Sequence, residues 1–274
     1  MKKTKYGQVV CTVILCILAA ILLFPIVWMF LMALKPGKSV ITMPPDLSLV
    51  GLTLENFIKV FKNEQTVRWI LNSILVSVSV MGCSVLTAAM AGYAFAKKQF
   101  PGKRILFSMM IVIMSLSTQV IMVPLFMEIN SMGLYDSYWA LILPFAASPF
   151  YSFLACQFMQ GLHDELFNAA RLDGCSEWKI FTKIVLPLSK PVLGVISIFS
   201  FITAWIDLLW PLIATATKEH RTLAVGLTTI QQFTNKDYGY MMAGSAVATI
   251  PIVIIFIAFQ KYFVGGIALG GVKE

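Results

Sequence analysis

Six stretches of the chain are apolar for longer than a bilayer core is wide, and none carries a lysine or arginine in its middle. A hydrocarbon core of about 30 Å is crossed by roughly 20 apolar residues in a helix. The stretches run from about Val9 to Leu34, Ile70 to Ala96, Ile105 to Met127, Tyr138 to Met159, Val192 to Ala214 and Met242 to Phe263. Charge points the same way. Charged residues make up 12% of the sequence, where a water-facing surface ordinarily needs about 25%, so most of this surface faces lipid. The expected fold class is an all-α integral membrane protein with six transmembrane helices.

The first run begins like a secretory signal, with Lys2, Lys3 and Lys5 ahead of Val9–Ala20. It then continues through Ile21–Leu34, about twice the length of a signal core, and reads as an uncleaved anchor helix. Cys16 follows bulky Leu15 and does not fit a lipoprotein cleavage site. The five cysteines show no metal or disulfide spacing; they read as unpaired thiols packing as small hydrophobes.

Basic residues set the expected orientation. Thirteen of the 21 Lys and Arg fall at the N-terminus, after the second and fourth runs and in the C-terminal tail, against eight on the other side. Basic loops stay cytoplasmic, so both termini are expected inside a bacterial-type plasma membrane. Trp28, Trp69, Trp139 and Trp210 fall at the outer ends, where indole rings favour the interface.

Two connecting segments are long enough to fold. In the outer one, Met43-Pro-Pro45 forms a stop, after which Thr53 can cap a short helix. Leu54, Phe57, Ile58 and Phe61 share one face of that helix, which is expected to lie along the membrane surface. In the inner one, about 160–191, Asp164 starts a helix that Gly174 ends as a C-cap glycine. Ser176 caps a second helix bearing Trp178, Phe181, Ile184 and Val185 at helical spacing; Pro187 ends it, and Pro191 suits the first turn of the next span. The small side chains of Ala169 and Ala170 would let another surface approach closely. Two readings fit: a docking surface for a partner, or an interfacial helix on lipid.

Here the residues become recognisable. Asn168-Ala-Ala-x-x-Asp-Gly174, followed by Phe181-x-x-Ile-x-Leu-Pro187-x-x-x-Pro191, resembles the EAA loop of ABC importer permeases. Trp205-Ile-Asp-Leu-Leu-Trp-Pro211, Thr222-Leu-x-Val-Gly-Leu227, Met242-Ala-Gly-Ser245 with Pro251, and Gln260-Lys-Tyr-Phe-Val-x-Gly266 with Gly271-Val-Lys273 are similar to the carbohydrate-uptake branch. Within it, the short outer segment resembles the maltose-type permeases related to the G subunit.

The resemblance implies one transmembrane permease domain over 1–274, with a cytoplasmic coupling helix between the fourth and fifth spans that fits a separate ATPase. It implies Glu165, Asn168, Ala169, Ala170, Asp173 and Gly174 as the ATPase-coupling region. Asn168 stands where the family usually has glutamate, which puts that ion pair in question; Glu165 lies three residues earlier on a nearby face. Implied partners are a second related permease, two ATPase subunits and an extracellular solute-binding protein meeting Lys35–Trp69 and Thr215–Tyr240. The implied solute is a sugar or oligosaccharide, with a phosphorylated polyol as the alternative.

No GxxxxGK[ST] phosphate loop occurs, so this chain is not expected to bind ATP in that manner. No catalytic residues, metal site or cofactor are expected on it; ATP and Mg would belong to the partner ATPase. His163 and His220, the only histidines, fall in loops on opposite sides and cannot pair as intramembrane haem ligands. An ion-coupled secondary transporter would place ionisable groups near the midplane. The only acid within a span is Asp207, which either lines the solute path or hydrogen-bonds a neighbouring helix. Asn72, Ser73, Ser77, Ser117, Thr118 and Gln119 are polar candidates for the path, though membrane helices also use such residues as interhelical contacts. A membrane scaffold or assembly factor is a further alternative, under which the Asn168–Gly174 turn would be dispensable for uptake.

Overall fold

A computed structural model describes residues 3–36, 50–233 and 237–270. The expected stop at Met43-Pro-Pro45, the charges at Lys2, Lys38, Lys236 and Lys273, and the Gly271-Val-Lys273 ending lie outside these residues. All regular structure among the described residues is helical. Among the described residues four helical segments are long and apolar enough to cross a membrane, one of them Tyr138–Gln160 with a 3-10 turn inside it, and two bent pairs bring the total to as many as six.

In chain order the helices are α1 (Lys3–Ala33), α2 (Glu55–Lys62), α3 (Glu64–Lys97), α4 (Lys103–Met114), α5 (Thr118–Ser131), α6 (Tyr138–Ile142) and α7 (Pro149–Gln160). They continue with α8 (Asp164–Leu172), α9 (Glu177–Ile180), α10 (Leu186–Leu188), α11 (Lys190–Ile206), α12 (Leu209–Ala214), α13 (Leu223–Phe233) and α14 (Tyr238–Gly270). The long helices match the first, second and sixth apolar runs. The other three runs are interrupted. α4 and α5 meet at a 108° bend; a 3-10 turn, Leu143–Phe145, and three non-helical residues separate α6 from α7; and α11 stops at Ile206, three residues before α12. Irregular backbone at membrane depth is tolerated where protein buries it or where it lines a cavity.

Contacts divide the chain into two units, one of Met1–Val67 with Gly226–Ile250 and one of Arg68–Val225 with Pro251–Glu274. In the first, Asn56 caps the C-terminal end of α1. Its Nδ2 donates to the carbonyls of Ala33 at 2.8 Å and Lys35 at 2.7 Å, satisfying acceptors that a helix end leaves open. Gly239 sits directly against this amide, and a Cβ there would lie 2.6 Å from Nδ2. The Thr53 hydroxyl accepts from the Glu55 N–H in a turn just ahead of α2, whose N-cap position is Leu54 and not the expected Thr53. The buried face of α2 is Asn56 and Val60, whereas Leu54, Ile58 and Phe61 stay exposed. Its apolar stripe is turned away from the unit, as lipid allows.

The second unit has two cores. One joins Ala88, Ala89 and Tyr93 of α3 to Ala155 and Met159 of α7, Phe167 and Ala170 of α8, and Ile180 to Val185. Gly92 lets α3 and α7 touch: a Cβ at Gly92 would lie 2.6 Å from that of Ala155, the close approach that small residues give membrane helices. The other core gathers Val76 and Val80 of α3, Ile129, Ala140–Ile142, Trp210 and Ala214. Here two of the expected interface tryptophans are accounted for differently. Trp69 and Trp210 are both 2% exposed and donate to the carbonyls of Lys218 and Ala140. Trp139 is the exposed one. An indole N–H buried in an apolar core needs an acceptor, and each of these finds one on another segment.

Candidate functional site

The loop between α7 and α11 is built from local signals. α8 opens with Asp164 and Glu165 and carries Arg171 in its last turn, the charge order that complements the helix dipole. It closes in a full Schellman motif: the Gly174 N–H donates to the Arg171 carbonyl and the Cys175 N–H to the Ala170 carbonyl, with Gly174 at φ +75°. That left-handed angle is one glycine adopts without Cβ strain. The Ser176 hydroxyl accepts from the Lys179 N–H and starts α9.

From there the chain departs from a single regular helix. A π-helical turn, Phe181–Val185, joins α9 to α10, so Pro187 lies inside the helical run and does not end it. The break comes at Ser189, with a 75° bend into α11, and Pro191 falls in the first turn of α11. Phe181 and Val185 are buried as their spacing suggests, and Ile180 with them, while Trp178 is 66% exposed.

Two basic residues at the end of α3 fasten this loop. Lys97 Nζ lies 2.7 Å from Asp164 Oδ1 and donates to the Leu162 carbonyl at 2.6 Å. The ammonium also sits 5.4 Å from the centre of the Phe167 ring. Glu177 is a second node. It accepts from the Tyr93 hydroxyl at 3.0 Å, from Arg171 Nε at 3.0 Å and from Lys98. Lys98 foremost, with Arg171 and Tyr93, holds the Glu177 carboxyl down from an ordinary 4.5 to about 2. Lys97 likewise lowers Asp164.

The six coupling candidates therefore separate by orientation. Glu165, Asn168, Ala169, Asp173 and Gly174 are exposed. Ala170 is 7% exposed and packs into the core beside Phe167, so its small size serves the fold and not an incoming surface. Asn168 Oδ1 accepts from Arg171 at 3.0 Å, and the residue where glutamate is usual positions an arginine of its own helix. Leu172, which the motif left unassigned, is 89% exposed at the tip. It stands out only once the helix phase is known, because the other large apolar side chains of α8, Leu166 and Phe167, are 47% and 1% exposed.

The second candidate region is a cavity of about 400 Å³ where the three broken helices meet. Leu116 and Thr118 border it from the α4–α5 bend, Ser148 and Tyr151 from the start of α7, and Thr203 and Asp207 from the end of α11. The volume lies within the range of small-molecule sites, and so does the mix of apolar wall with a few polar groups. Asp207 Oδ1 also accepts from the Trp210 N–H at 3.5 Å. Asp207 thus bonds the start of the helix after the break and also borders the cavity.

Of the remaining polar candidates Thr118 shares the cavity border with Asp207, whereas Asn72, Ser73, Ser117 and Gln119 do not line it. Asn72 and Ser73 are 4% and 2% exposed. Asn72 Nδ2 donates to the carbonyls of Glu219 at 2.7 Å and Arg221 at 2.9 Å, and its Oδ1 accepts from the Tyr138 hydroxyl. The Ser73 hydroxyl accepts from the Leu223 N–H at 2.8 Å. Both pin the 215–223 segment to α3, and neither borders the cavity. Ser117 and Gln119 are exposed beside the α4–α5 bend, hydrogen-bonded to each other. Asp136, which the sequence did not mark, completes the pinning. At φ 55° it accepts from the N–H groups of Ala216 and Thr217 through Oδ1. Burial pushes its carboxyl up, but these bonds and the nearby His220 carry it below the ordinary value.

Comparison with known proteins follows the same architecture. The model of the family described as binding-protein-dependent transport system inner membrane component matches residues 84–268. The arabinooligosaccharides transport system permease protein AraQ of Halalkalibacterium halodurans is 36% identical over 261 residues, 93% of each chain. The trehalose transport system permease protein SugB of Mycobacterium tuberculosis is 34% identical over 92% of each. A chain in the crystal structure of a bacterial ABC transporter involved in import of the acidic polysaccharide alginate shares the fold, with a TM-score of 0.81 at 22% identity over 96% of this chain and 98% of that one. The loop, the broken spans and these matches agree, and the chain is a member of the binding-protein-dependent transport system inner membrane component family, a multi-pass membrane permease.

Proposed function

We propose that this chain is one permease subunit of a binding-protein-dependent ABC importer that carries a sugar or oligosaccharide into the cytoplasm, acting as a single transmembrane permease domain over 1–274. In this reading both termini and the α8–α9 loop are cytoplasmic, a second related permease completes the pore, and a solute-binding protein delivers at the opposite end. The chain itself is non-catalytic: ATP and Mg bind two separate ATPase subunits, whose closure moves α8. The sugar assignment draws on relatives named for arabinooligosaccharide and trehalose transport.

The observation that carries the reading is the exposed end of α8, where Leu172 projects from a helix otherwise anchored by Phe167 and Ala170. A leucine held almost wholly in solvent on a rigid, capped helix suits insertion into an apolar cleft on a partner. Glu165, Asn168, Ala169, Asp173 and Gly174 surround it. The cavity bordered by Asp207 is the corresponding candidate for solute passage.

The test is co-purification from native membranes in mild detergent, with ATPase activity assayed in the eluate. Wild type is expected to recover an ATPase, and Ala169→Arg with Leu172→Asp to lose it while melting at an unchanged temperature. Recovery of no ATPase by wild type, or equal recovery by the double variant, overturns the coupling assignment.

A further inference from the structure

Where α3 turns into α4, the protein has a recess whose chemistry belongs to neither the loop nor the solute cavity. It measures about 670 Å³ and opens to the outside. Lys103, Arg104, Gln99 and Gln160 supply its polar lining, and no acidic residue borders it. Its apolar side is a group of aromatic rings: Phe95 lies 5.7 Å, centre to centre, from both Phe100 and Phe107. Lys103 Nζ gives one hydrogen to the Lys98 carbonyl at 2.8 Å, and an ammonium has three to give. Arg104 has no acidic partner among the described residues. A guanidinium at the end of a membrane helix with its donors unspent matches a phosphate group in charge and geometry.

A second recess begins where the first ends. Arg104 and Ile105 border both. From them a furrow of about 530 Å³ runs along α4 past Ser108, Met109, Val112 and Ile113. These positions recur at helical spacing, so the furrow follows one face of α4 away from its charged end. Ile105, Met109, Val112 and Ile113 are each at least half exposed. A polar cradle at the membrane boundary thus continues into an apolar groove directed into the bilayer, the two-part shape of a phospholipid.

We infer that this composite site holds an anionic phospholipid, its phosphate on Arg104 and Lys103 and an acyl chain along α4. A zwitterionic lipid carries a cation that finds no acid in the recess, so phosphatidylglycerol is favoured over phosphatidylcholine. Retention by Arg104 and Lys103 also fixes the register of α4 at the membrane boundary, at the end of the helix opposite its bend.

Native mass spectrometry of the full chain tests this, with the protein released from nanodiscs containing phosphatidylglycerol and phosphatidylcholine in equal parts. Wild type is expected to retain phosphatidylglycerol preferentially. Arg104→Gln should lower that retention about fivefold, the scale of one basic residue against an anionic lipid surface, and adding Lys103→Gln should lower it further. Ser108→Trp, which fills the furrow without altering charge, should lower it as well. Lys179→Gln with Lys183→Gln removes the same charge on α9 and the turn after it, and should leave retention unchanged. Circular dichroism melts establish that each variant is folded. Equal loss in the Lys179 and Lys183 control would reduce the effect to bulk charge and overturn the site. So would displacement of the lipid by millimolar inorganic phosphate, which would make it a soluble-anion site. If Ser108→Trp abolishes pairing with a second permease and leaves lipid retention intact, the furrow is a protein interface and the inference fails.

Discussion

Lys97 Nζ and Asp164 Oδ1 stand 2.7 Å apart, joining the last residue of α3 to the first residue of α8. The lysine side chain is 7% exposed and the aspartate 74%, so the two partners do not contribute equally. Lys97 also serves the Leu162 carbonyl, whereas Asp164 can turn to water. Lys97→Met is therefore expected to destabilise the protein by about 2 kcal/mol, the scale of a lost hydrogen bond to a charged group. Asp164→Asn should have a smaller effect. Thermal melts in detergent check the order; an equal or reversed ranking would mean that the carbonyl contacts carry no weight.

Glu177 gives a pH dependence of known sign. Its carboxyl lies at about 2 in the folded protein against an ordinary 4.5. A depressed acid contributes stability that is fully present above its unfolded value and is lost as pH falls through the folded one. The melting-temperature difference between wild type and Glu177→Gln should thus be largest above pH 5, shrink below about pH 4.5 and approach zero near pH 2. A difference that stays constant across that range would show that the ion pairs with Lys98 and Arg171 do not form in solution.

The loop and its neighbours were legible to the degree that their signals are local. Ser176 as a cap and Gly174 as a left-handed end are fixed by a few adjacent residues, and both sit where the sequence places them. Asn72, Ser73 and Trp69 were not legible, because their backbone partners lie 147 to 150 residues away. A polar residue in an apolar run looks the same whether it faces solute or a distant carbonyl. The α4–α5 bend was hidden for another reason. No glycine or proline marks Ser115–Ser117, and the polar residues Ser117, Thr118 and Gln119 read equally well as pore lining, so length alone suggested one span.

Two glycines of α3 provide a matched pair. Gly92→Ala drives a methyl against the Ala155 Cβ and brings it to 3.0 Å from the Ala155 backbone carbon, whereas a Cβ at Gly82 meets nothing within 4 Å. Gly92→Ala should cut the yield of folded, monodisperse protein sharply. Gly82→Ala should match or slightly exceed wild type, since alanine favours a helix by about 1 kcal/mol over glycine. Size-exclusion profiles of the two side by side decide it.

Asn72→Ala removes one side chain from three partners, the carbonyls of Glu219 and Arg221 and the hydroxyl of Tyr138. Each buried group left without a partner costs about 1–3 kcal/mol. A marked drop in melting temperature is expected, with the KM for solute unchanged in whatever protein remains folded. A raised KM at unaltered stability would return Asn72 to the solute path.

Thr203→Trp fills the cavity beside Asp207 without touching the cap that Asp207 gives to Trp210. Transport in proteoliposomes is expected to fall at least tenfold while assembly with partner subunits persists. Asp207→Asn keeps an acceptor for the cap and separates the carboxylate's charge from its structural part. Uptake at the wild-type rate in both variants would mean that solute passes elsewhere.

The fastening of α8 has a mechanical meaning. Its start is tied to α3 through Lys97, its middle is keyed into the core by Phe167 and Ala170, and its end is tied through Arg171 and Glu177 to Lys98. A segment held at three points behaves as a strut. Any displacement of α8 therefore carries the end of α3 with it, and the next change of chain direction beyond the ties is the 75° bend at Ser189, where α11 begins.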